Sequence, residues 1–185
     1  MNEPQVIETT VIGRDGAFRD LVEQHKRSVY YLGLDLTGNH HDAEDLSQEV
    51  FIKAHRGLST FRGEASVETW LRRITVNTYL NKRRKKALSF MRLFGEAEET
   101  AWGPADAPTP DQHAEGSVVQ QHVTQALKKL SPRERSAFVL RHYHDLSVKE
   151  VAGSMEVAEG TVKSLLYRAT QKLQKALAFY RNERG

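Results

Sequence analysis

The sequence has 185 residues, of which 39% are hydrophobic and 28% charged, and this length suits one ordinary domain or two small ones. It contains no cysteine, which excludes disulfides, thiolate metal sites and cysteine catalysis. No apolar run approaches the roughly 20 residues of a membrane span, and the first ten residues lack the basic and apolar regions of a signal peptide, so we expect a cytoplasmic protein without membrane insertion.

The net charge of +3 is unevenly distributed along the chain. Residues 72–86 include seven basic side chains and no acidic one, whereas residues 87–127 include six acidic side chains and one basic. From residue 128 to the end, twelve basic residues face six acidic ones. Two basic blocks separated by an acidic stretch indicate two surfaces that bind polyanions. A solvated helix face is the simpler alternative for the run 82–86.

The first half of the chain predicts three helices. Hydrophobic residues spaced by three and four positions predict the first from Arg14 to Leu36, and Gly38 can end it in a left-handed conformation. Asp42 is predicted to cap a second helix that stops near Gly57. Ser66 is predicted to cap a third, which carries the basic run out to about residue 86.

The second half begins after a change in composition. Between Leu88 and Gly116, glycine, proline and acidic residues accumulate and the periodicity is lost, which predicts a flexible acidic linker. Beyond it the pattern predicts helices over about 118–130, 132–142, 147–155 and 160–181, with Ser131 as a helix cap. We therefore expect an all-α chain with two small helical domains, residues 1–87 and 117–185, joined by the linker 88–116.

The last two predicted helices are joined by about four residues, which is the layout of a helix-turn-helix. Val148, Val151 and Met155 would bury the first helix against the second. The outer face of the second helix carries short polar, basic and aromatic side chains suited to base edges and phosphates: Thr161, Lys163, Ser164, Tyr167 and Arg168. A plain helical hairpin with a solvated basic face is the alternative.

Three motifs in this half are recognisable: Leu130-Ser-Pro-Arg-Glu-Arg135, Leu146-Ser-Val-Lys-Glu-Val-Ala152 and Gly160-Thr-Val-Lys-Ser-Leu-Leu-Tyr-Arg-Ala169. They resemble the C-terminal domain of the extracytoplasmic-function sigma factors. They also resemble the helix-turn-helix of LuxR-type regulators, so this half alone leaves both families open. The first resemblance implies that the outer face of the last long helix contacts the minus-thirty-five promoter element.

The N-terminal half distinguishes the two families. Its motifs are Asp42-Ala-Glu-Asp-Leu-Ser-Gln-Glu-Val-Phe-Ile-Lys53, Phe61-Arg-Gly63 and Thr69-Trp-Leu-Arg-Arg-Ile-Thr-Val-Asn-Thr78. In order and spacing they resemble the N-terminal domain of the same sigma factors over about residues 15–86. LuxR-type regulators would instead carry a domain of alternating strands and helices. The resemblance favours a sigma factor, and a LuxR-like transcriptional activator remains the alternative.

The resemblance also implies partners and residue roles. Core RNA polymerase would be bound through its β′ coiled coil and β subunit, together with promoter DNA and an anti-sigma factor. The acidic and amide face formed by Asp45, Gln48 and Glu49 would dock on the coiled coil. The minus-ten element would be contacted by Phe61, Arg62, Gly63 and Asn77, which hold a flipped base, and by Arg83 and Arg84. Trp70 either stacks on DNA or belongs to the core.

Enzymatic and metal-dependent functions are not expected. The histidine pairs at 40–41 and at 142 and 144 do not share a helical face, and no cysteine supports a metal site. The sequence also lacks a convergent carboxylate or serine–histidine cluster. We therefore expect no catalytic residue, no metal and no cofactor.

The linker length adds an expectation about shape. A flexible chain of about 30 residues has a root-mean-square span near 30 Å, whereas the two promoter elements lie about 70 Å apart. Polymerase would have to hold the linker extended. The free protein is then expected to be compact or loosely jointed, with contacts between its domains that cover one or both DNA surfaces.

Overall fold

The computed structural model describes residues 5–61, 63, 65–94 and 118–182, and among these the side chains of residues 16–61, 63, 65–93 and 121–180. All regular structure in this part of the chain is helical, as the sequence predicts. The helices are α1 (Gln5–Thr37), α2 (His40–Gly57), a short 3-10 helix (Leu58–Thr60), α3 (Val67–Phe94), α4 (Val118–Leu127), α5 (Pro132–His142), α6 (Val148–Met155), α7 (Glu159–Ala176) and α8 (Phe179–Asn182).

The N-terminal domain is built by the mutual packing of α1, α2 and α3. Their apolar faces supply a buried core that includes Leu36, Leu46, Val50 and Leu71. Gly38 adopts φ +80° directly after α1, so the predicted left-handed turn at the end of this helix is confirmed. The turn reverses the chain and brings α2 back along α1.

The predicted cap of α2 is wrong by three residues. The side-chain oxygen of Asn39 accepts the backbone N–H of Asp42 at 2.7 Å, and the Asn39 amide donates to the Asp42 carboxylate at 2.8 Å. Asn39 is therefore the N-cap, and Asp42 lies within the first turn. Asparagine and aspartate cap helices about equally well, and here the asparagine comes first along the chain.

Helix α3 starts as predicted and ends later. The Ser66 hydroxyl accepts the N–H of Thr69 at 3.1 Å, which confirms Ser66 as the cap. The helix then continues to Phe94, into the segment predicted to be linker. Residues 87–94 contain no glycine or proline that would end the helix. The predicted boundary came too early because it was set by the glycine, proline and acidic residues that begin at residue 95. The remainder of the predicted linker lies outside the described residues.

In the C-terminal domain two reciprocal capping boxes fix the helix starts. The Ser131 hydroxyl accepts from the N–H of Glu134 while the Glu134 carboxylate accepts from the N–H of Ser131, and Ser147 and Glu150 repeat the arrangement at α6. Ser131 as a cap is thereby confirmed. The last predicted helix differs: α7 ends at Ala176, and the short α8 follows after a turn.

The two domains pack against each other. Helices α1 and α3 contact α5, and α3 also contacts α6. Buried side chains of both domains form one continuous cluster, which extends from Val29 and Val76 in the N-terminal domain to Leu140 and Met155 in the C-terminal domain. The linker length left a compact and a loosely jointed arrangement open, and the structure shows the domains in contact.

Candidate nucleic-acid and protein interfaces

The acidic face of α2 is exposed only in part. Asp45 and Gln48 point to solvent, with the Asp45 carboxylate 3.8 Å from the ring of His41. Glu49 is half-buried. Its carboxylate accepts from the Lys53 ammonium at 2.8 Å and lies 3.7 Å from the Lys82 ammonium. The hydrogen bond from Lys53 lowers the pKa of Glu49. The three predicted docking residues thus lie together, but the charge of Glu49 is largely compensated.

An apolar side chain lies beside this face. Ile52 is 52% exposed although it is a large hydrophobic residue. It follows Asp45 and Gln48 at the helical spacing of seven and four, so it shares their side of α2. Exposed aliphatic residues next to charged ones are common at protein interfaces, and Ile52 extends the candidate docking surface.

The loop that follows α2 brings two aromatic rings together. The ring of Phe61 lies 4.9 Å from that of Trp70, at an angle of 36°. Trp70 is half-buried against the core, and a side chain added at Gly57 would meet its ring edge at 3.2 Å. Gly63 is exposed at φ +72°, a conformation that favours glycine. Trp70 therefore belongs in part to the core, and its stacking on DNA stays a prediction. Arg62 lies outside the described residues.

Asn77 is half-buried on α3, about three turns after the start of that helix. Its side-chain amide donates to a carboxylate oxygen of Glu156 at 3.0 Å. The other oxygen of that carboxylate lies 3.2 Å from Nε of Arg73. Glu156 belongs to the turn of the helix-turn-helix, so the predicted base-reading asparagine is held by the other domain.

The basic run of α3 borders an open groove of about 600 Å³ between α2 and the middle of α3. Arg84 is exposed, whereas the guanidinium of Arg83 lies over the ring of Tyr79, 6.0 Å from its centre. Tyr79 is buried, and this burial raises the pKa of its hydroxyl. Arg83 therefore packs on the domain as well as contributing charge, whereas the side chain of Arg84 is the more exposed of the two.

Helix α7 separates its buried and exposed sides as predicted. Val162 and Leu165 are buried, and Tyr167 is 67% exposed. All five predicted DNA-contact residues are exposed together along the outer side: Thr161, Lys163, Ser164, Tyr167 and Arg168. The structure thus shows a continuous polar and basic surface on the second helix of the helix-turn-helix.

The histidines considered for a metal site have other partners. The ring of His40 shares a hydrogen bond with the Tyr30 hydroxyl at 2.6 Å, and the ring of His144 lies 3.1 Å from the Asp35 carboxylate. In the part of the chain that the structure describes, no three histidine, aspartate or glutamate residues are grouped to hold a metal ion. None of the described helices is both long and apolar enough to span a membrane.

Family models match both halves of the chain. Residues 21–88 match sigma-70 region 2, and residues 120–173 match sigma-70 region 4. The chain is 30% identical to the ECF RNA polymerase sigma factor SigW of Bacillus subtilis, with 89% of this chain and 91% of the relative covered. It is 31% identical to the sigma-H factor of Pseudomonas aeruginosa over 95% and 93% of the two chains.

The chain belongs to the extracytoplasmic-function sigma factors. It is also 37% identical to SigE of Mycolicibacterium smegmatis over 89% of its own length, although it spans only 63% of that relative. The match to region 2 covers most of the N-terminal domain, and the LuxR-like alternative is not favoured.

Solved structures agree with this assignment. The sigma factor RpoE of Bartonella quintana, determined in complex with the anti-sigma factor NepR, is 27% identical, with a TM-score of 0.67 over 88% of this chain and 97% of that one. CnrH, in complex with the cytosolic domain of CnrY, is 22% identical with a TM-score of 0.58 over 89% of each chain, which supports the fold.

The domain contact of this sigma factor contains a buried arginine. Arg135 of α5 is only 2% exposed, and its Nε and Nη2 donate to the backbone carbonyl of Asp35 at 3.2 and 2.9 Å. Because this carbonyl lies at the C-terminal end of α1, the guanidinium also complements the helix dipole. Gly38 lies so close that an added side chain would meet Nη2 at 2.9 Å.

Four residues of these surfaces are not predicted from the sequence: Ile52, Arg73, Arg135 and Glu156. Ile52 could have been identified, because it falls outside the apolar pattern of Leu46, Val50 and Ala54 on the same helix. The other three residues act between domains, and the local sequence carries no signal for such contacts.

Proposed function

We propose that this sigma factor binds core RNA polymerase, recognises promoters and directs transcription initiation. The observation that carries the proposal is the outer side of α7, where five polar, basic and aromatic side chains are exposed together on a helix whose other side is buried. This side would bind the minus-thirty-five element. Its contacts would combine base edges and phosphates, which suit arginine, lysine and hydroxyl side chains.

The docking surface for polymerase would be centred on Asp45 and Gln48, with Ile52 beside them. Exposed acid and amide groups suit a basic partner helix such as the β′ coiled coil, and an exposed isoleucine adds apolar contact. Glu49 would contribute less than the sequence suggests, because Lys53 and Lys82 already compensate its charge.

The minus-ten element would be bound by the loop after α2 and by α3. Phe61 presents an aromatic ring for stacking, Gly63 lets the loop turn, and Asn77 offers an amide to a base edge. Arg62 belongs to the same motif by its position in the sequence. Arg83 and Arg84 would contact phosphates, which carry no sequence information.

We further infer that this chain acts in the cytoplasm as a regulatory protein without catalytic activity or cofactor, under the control of an anti-sigma factor. The similarity to a sigma factor solved with NepR supports such a partner. A stress or envelope regulon is the expected target, by resemblance to the family.

The direct test is run-off transcription with purified core polymerase and no other sigma factor. A sigma factor supports initiation under these conditions, whereas an activator of the LuxR type does not. Sequencing of the DNA bound by the reconstituted enzyme would define both promoter elements. Absence of any transcript across a genomic promoter library would overturn the proposal.

The docking surface is tested by charge reversal at Asp45. Asp45→Lys places like charges across the interface, which costs several kcal/mol, so affinity for core should fall at least a hundredfold. Glu49→Lys is less clean, because it would place a third cation beside Lys53 and Lys82. The matched control is Asp20→Lys. Asp20 is exposed on α1 outside the docking surface, so reversing its charge should leave the affinity for core polymerase unchanged.

A further inference from the structure

Glu156 occupies an unusual backbone position. It ends α6 with φ +55°, in the left-handed region that favours glycine or asparagine. Its N–H donates to the carbonyl of Ala152, which closes the helix. A glycine would satisfy this turn equally well, so the turn does not explain why a carboxylate stands here.

The carboxylate is engaged by the other domain. One oxygen accepts from the Asn77 amide at 3.0 Å, and the other lies 3.2 Å from Nε of Arg73. Arg73 and Asn77 are four residues apart on α3 and therefore adjacent on one face. The two donors that Glu156 engages, a guanidinium and an amide, are also those that would contact a DNA phosphate and a base edge.

We propose that Glu156 is an autoinhibitory residue whose carboxylate occupies the DNA-reading face of α3 in the free protein, until core polymerase draws the two domains apart. The proposal rests on the proposed function of Asn77 in binding the minus-ten element. It makes the turn of the helix-turn-helix a built-in competitor of promoter DNA.

The contact is suited to reversible opening. Glu156 and Arg73 are each about half exposed, at 53% and 51%, so their pair is accessible to water and salt. At the neighbouring contact, Nη1 of the buried Arg135 has no hydrogen-bond partner among the described residues. Separation of the domains would hydrate this group, which offsets part of the loss of the closed contacts.

Two substitutions at Glu156 test the proposal. Glu156→Gln removes the charge with little change in shape, and Glu156→Gly removes the side chain where the backbone already favours glycine, so both should fold. Glu159→Gln is the matched control. Glu159 is exposed in the first turn of α7, and its substitution removes one negative charge from the same helix-turn-helix. Thermal unfolding would verify that all three are folded.

The first measurement is the separation of the domains without DNA. Since the chain has no cysteine, Gln24→Cys and Gln174→Cys introduce two unique exposed sites for a donor and an acceptor dye. The second is the affinity of the free protein for a single-stranded minus-ten oligonucleotide. We expect both Glu156 variants to show a more open population and to bind the oligonucleotide roughly three- to tenfold more tightly, with Glu159→Gln like the parent.

Unchanged domain separation in both Glu156 variants would overturn the proposal, as would an equal gain in oligonucleotide affinity for Glu159→Gln. The outcome is separable from failure of the proposed function. A holoenzyme that does not initiate transcription would overturn the proposed function, whereas the dye measurement requires neither polymerase nor DNA and still decides whether Glu156 holds the domains together.

Discussion

The exposed sides of α3 and α7 are both candidate DNA surfaces, yet they differ in how they are occupied. On α7 the exposed side chains bond within their own helix: the Ser164 hydroxyl donates to the Gly160 carbonyl at 3.0 Å, and Nε of Arg168 donates to the Ser164 carbonyl at 3.3 Å. On α3, Asn77 and Arg73 hold a carboxylate of the other domain.

This difference has a consequence for the order of binding. The predicted contact residues of α7 are exposed in the described part of the chain, so this surface is available once the C-terminal domain is folded. The α3 surface becomes available only after a contact across 79 residues of sequence is broken. The linker length led us to expect that one or both DNA surfaces would be covered, and among the described residues the covered surface is that of α3.

The largest expected effect comes from Arg135. Arg135→Ala removes two hydrogen bonds to the Asp35 carbonyl from a buried site, so the free energy of unfolding should fall by about 3 kcal/mol. The same variant should release the α3 surface, because the domain contact loses its buried anchor. Chemical denaturation and the paired dyes would measure the two effects.

Arg133→Ala provides the control for Arg135, since Arg133 is exposed two residues earlier on the same helix. It should change the free energy of unfolding by less than about 0.5 kcal/mol. If Arg135→Ala left the domains together, the covering of the α3 surface would not depend on the contact between Arg135 and the end of α1.

Arg168 tests the open surface. The free protein should bind a minus-thirty-five duplex without core polymerase, and Arg168→Ala should weaken this binding by about 2 kcal/mol while relaxing the preference at one base pair. Lys129 is exposed in the turn after α4, and Lys129→Ala should leave the base preference of the duplex binding unchanged. Fluorescence anisotropy with single-base variants of the duplex would make the measurement. A uniform loss across all sequences would show that Arg168 contacts only phosphate.

The two surfaces also differ in how far the sequence predicts them. The outer side of α7 follows from local information, because apolar spacing places Val162 and Leu165 inward and the remaining residues outward. The serine caps at Ser131 and Ser147 similarly mark helix starts before any tertiary contact is considered.

The occupied surface of α3 depends on pairs that are distant in the sequence. Arg135 follows a proline and a glutamate in the first turn of a helix, a setting typical of a surface arginine, and its burial requires the end of α1, 100 residues away. Glu156 adopts a left-handed conformation for which its residue type gives no signal. Lys53 could be paired with Glu49 from their spacing of four, but Lys82 could not.

A smaller effect is expected at Glu134 of α5, whose carboxylate accepts from the Lys172 ammonium of α7 at 2.7 Å and so ties the two helices together. Burial by itself raises the pKa of this carboxyl, but the hydrogen bonds from Lys172 and Ser131 outweigh it and lower the pKa below its ordinary value. Its stabilising contribution is therefore present above the ordinary glutamate value of about 4.3 and is lost as the pH falls through the lower folded-state pKa.

Glu134→Gln should accordingly cost about 1 kcal/mol of unfolding free energy at pH 7, and the cost should shrink as the pH falls below about 4. Denaturation of both proteins at a series of pH values would measure the difference. Glu44→Gln replaces an exposed carboxylate on α2 and serves as the control. It should change the free energy of unfolding little at pH 7 or below about pH 4. A difference that persisted at low pH would mean that the charge of Glu134 does not anchor α7.

The smallest effect is expected from Arg84, in the second half of α3 and about two turns beyond Asn77. A single phosphate contact contributes about 0.9 to the slope of log affinity against log salt concentration, which is less than a twofold change in affinity when the salt is doubled. Arg84→Ala should lower the slope for promoter binding by the holoenzyme by about this amount, equally for all promoters. Arg83→Ala should in addition lower thermal stability, because its guanidinium packs on Tyr79. A promoter-selective defect from Arg84→Ala would show that the basic run contacts bases, and the α3 surface would then extend beyond the part that Glu156 covers.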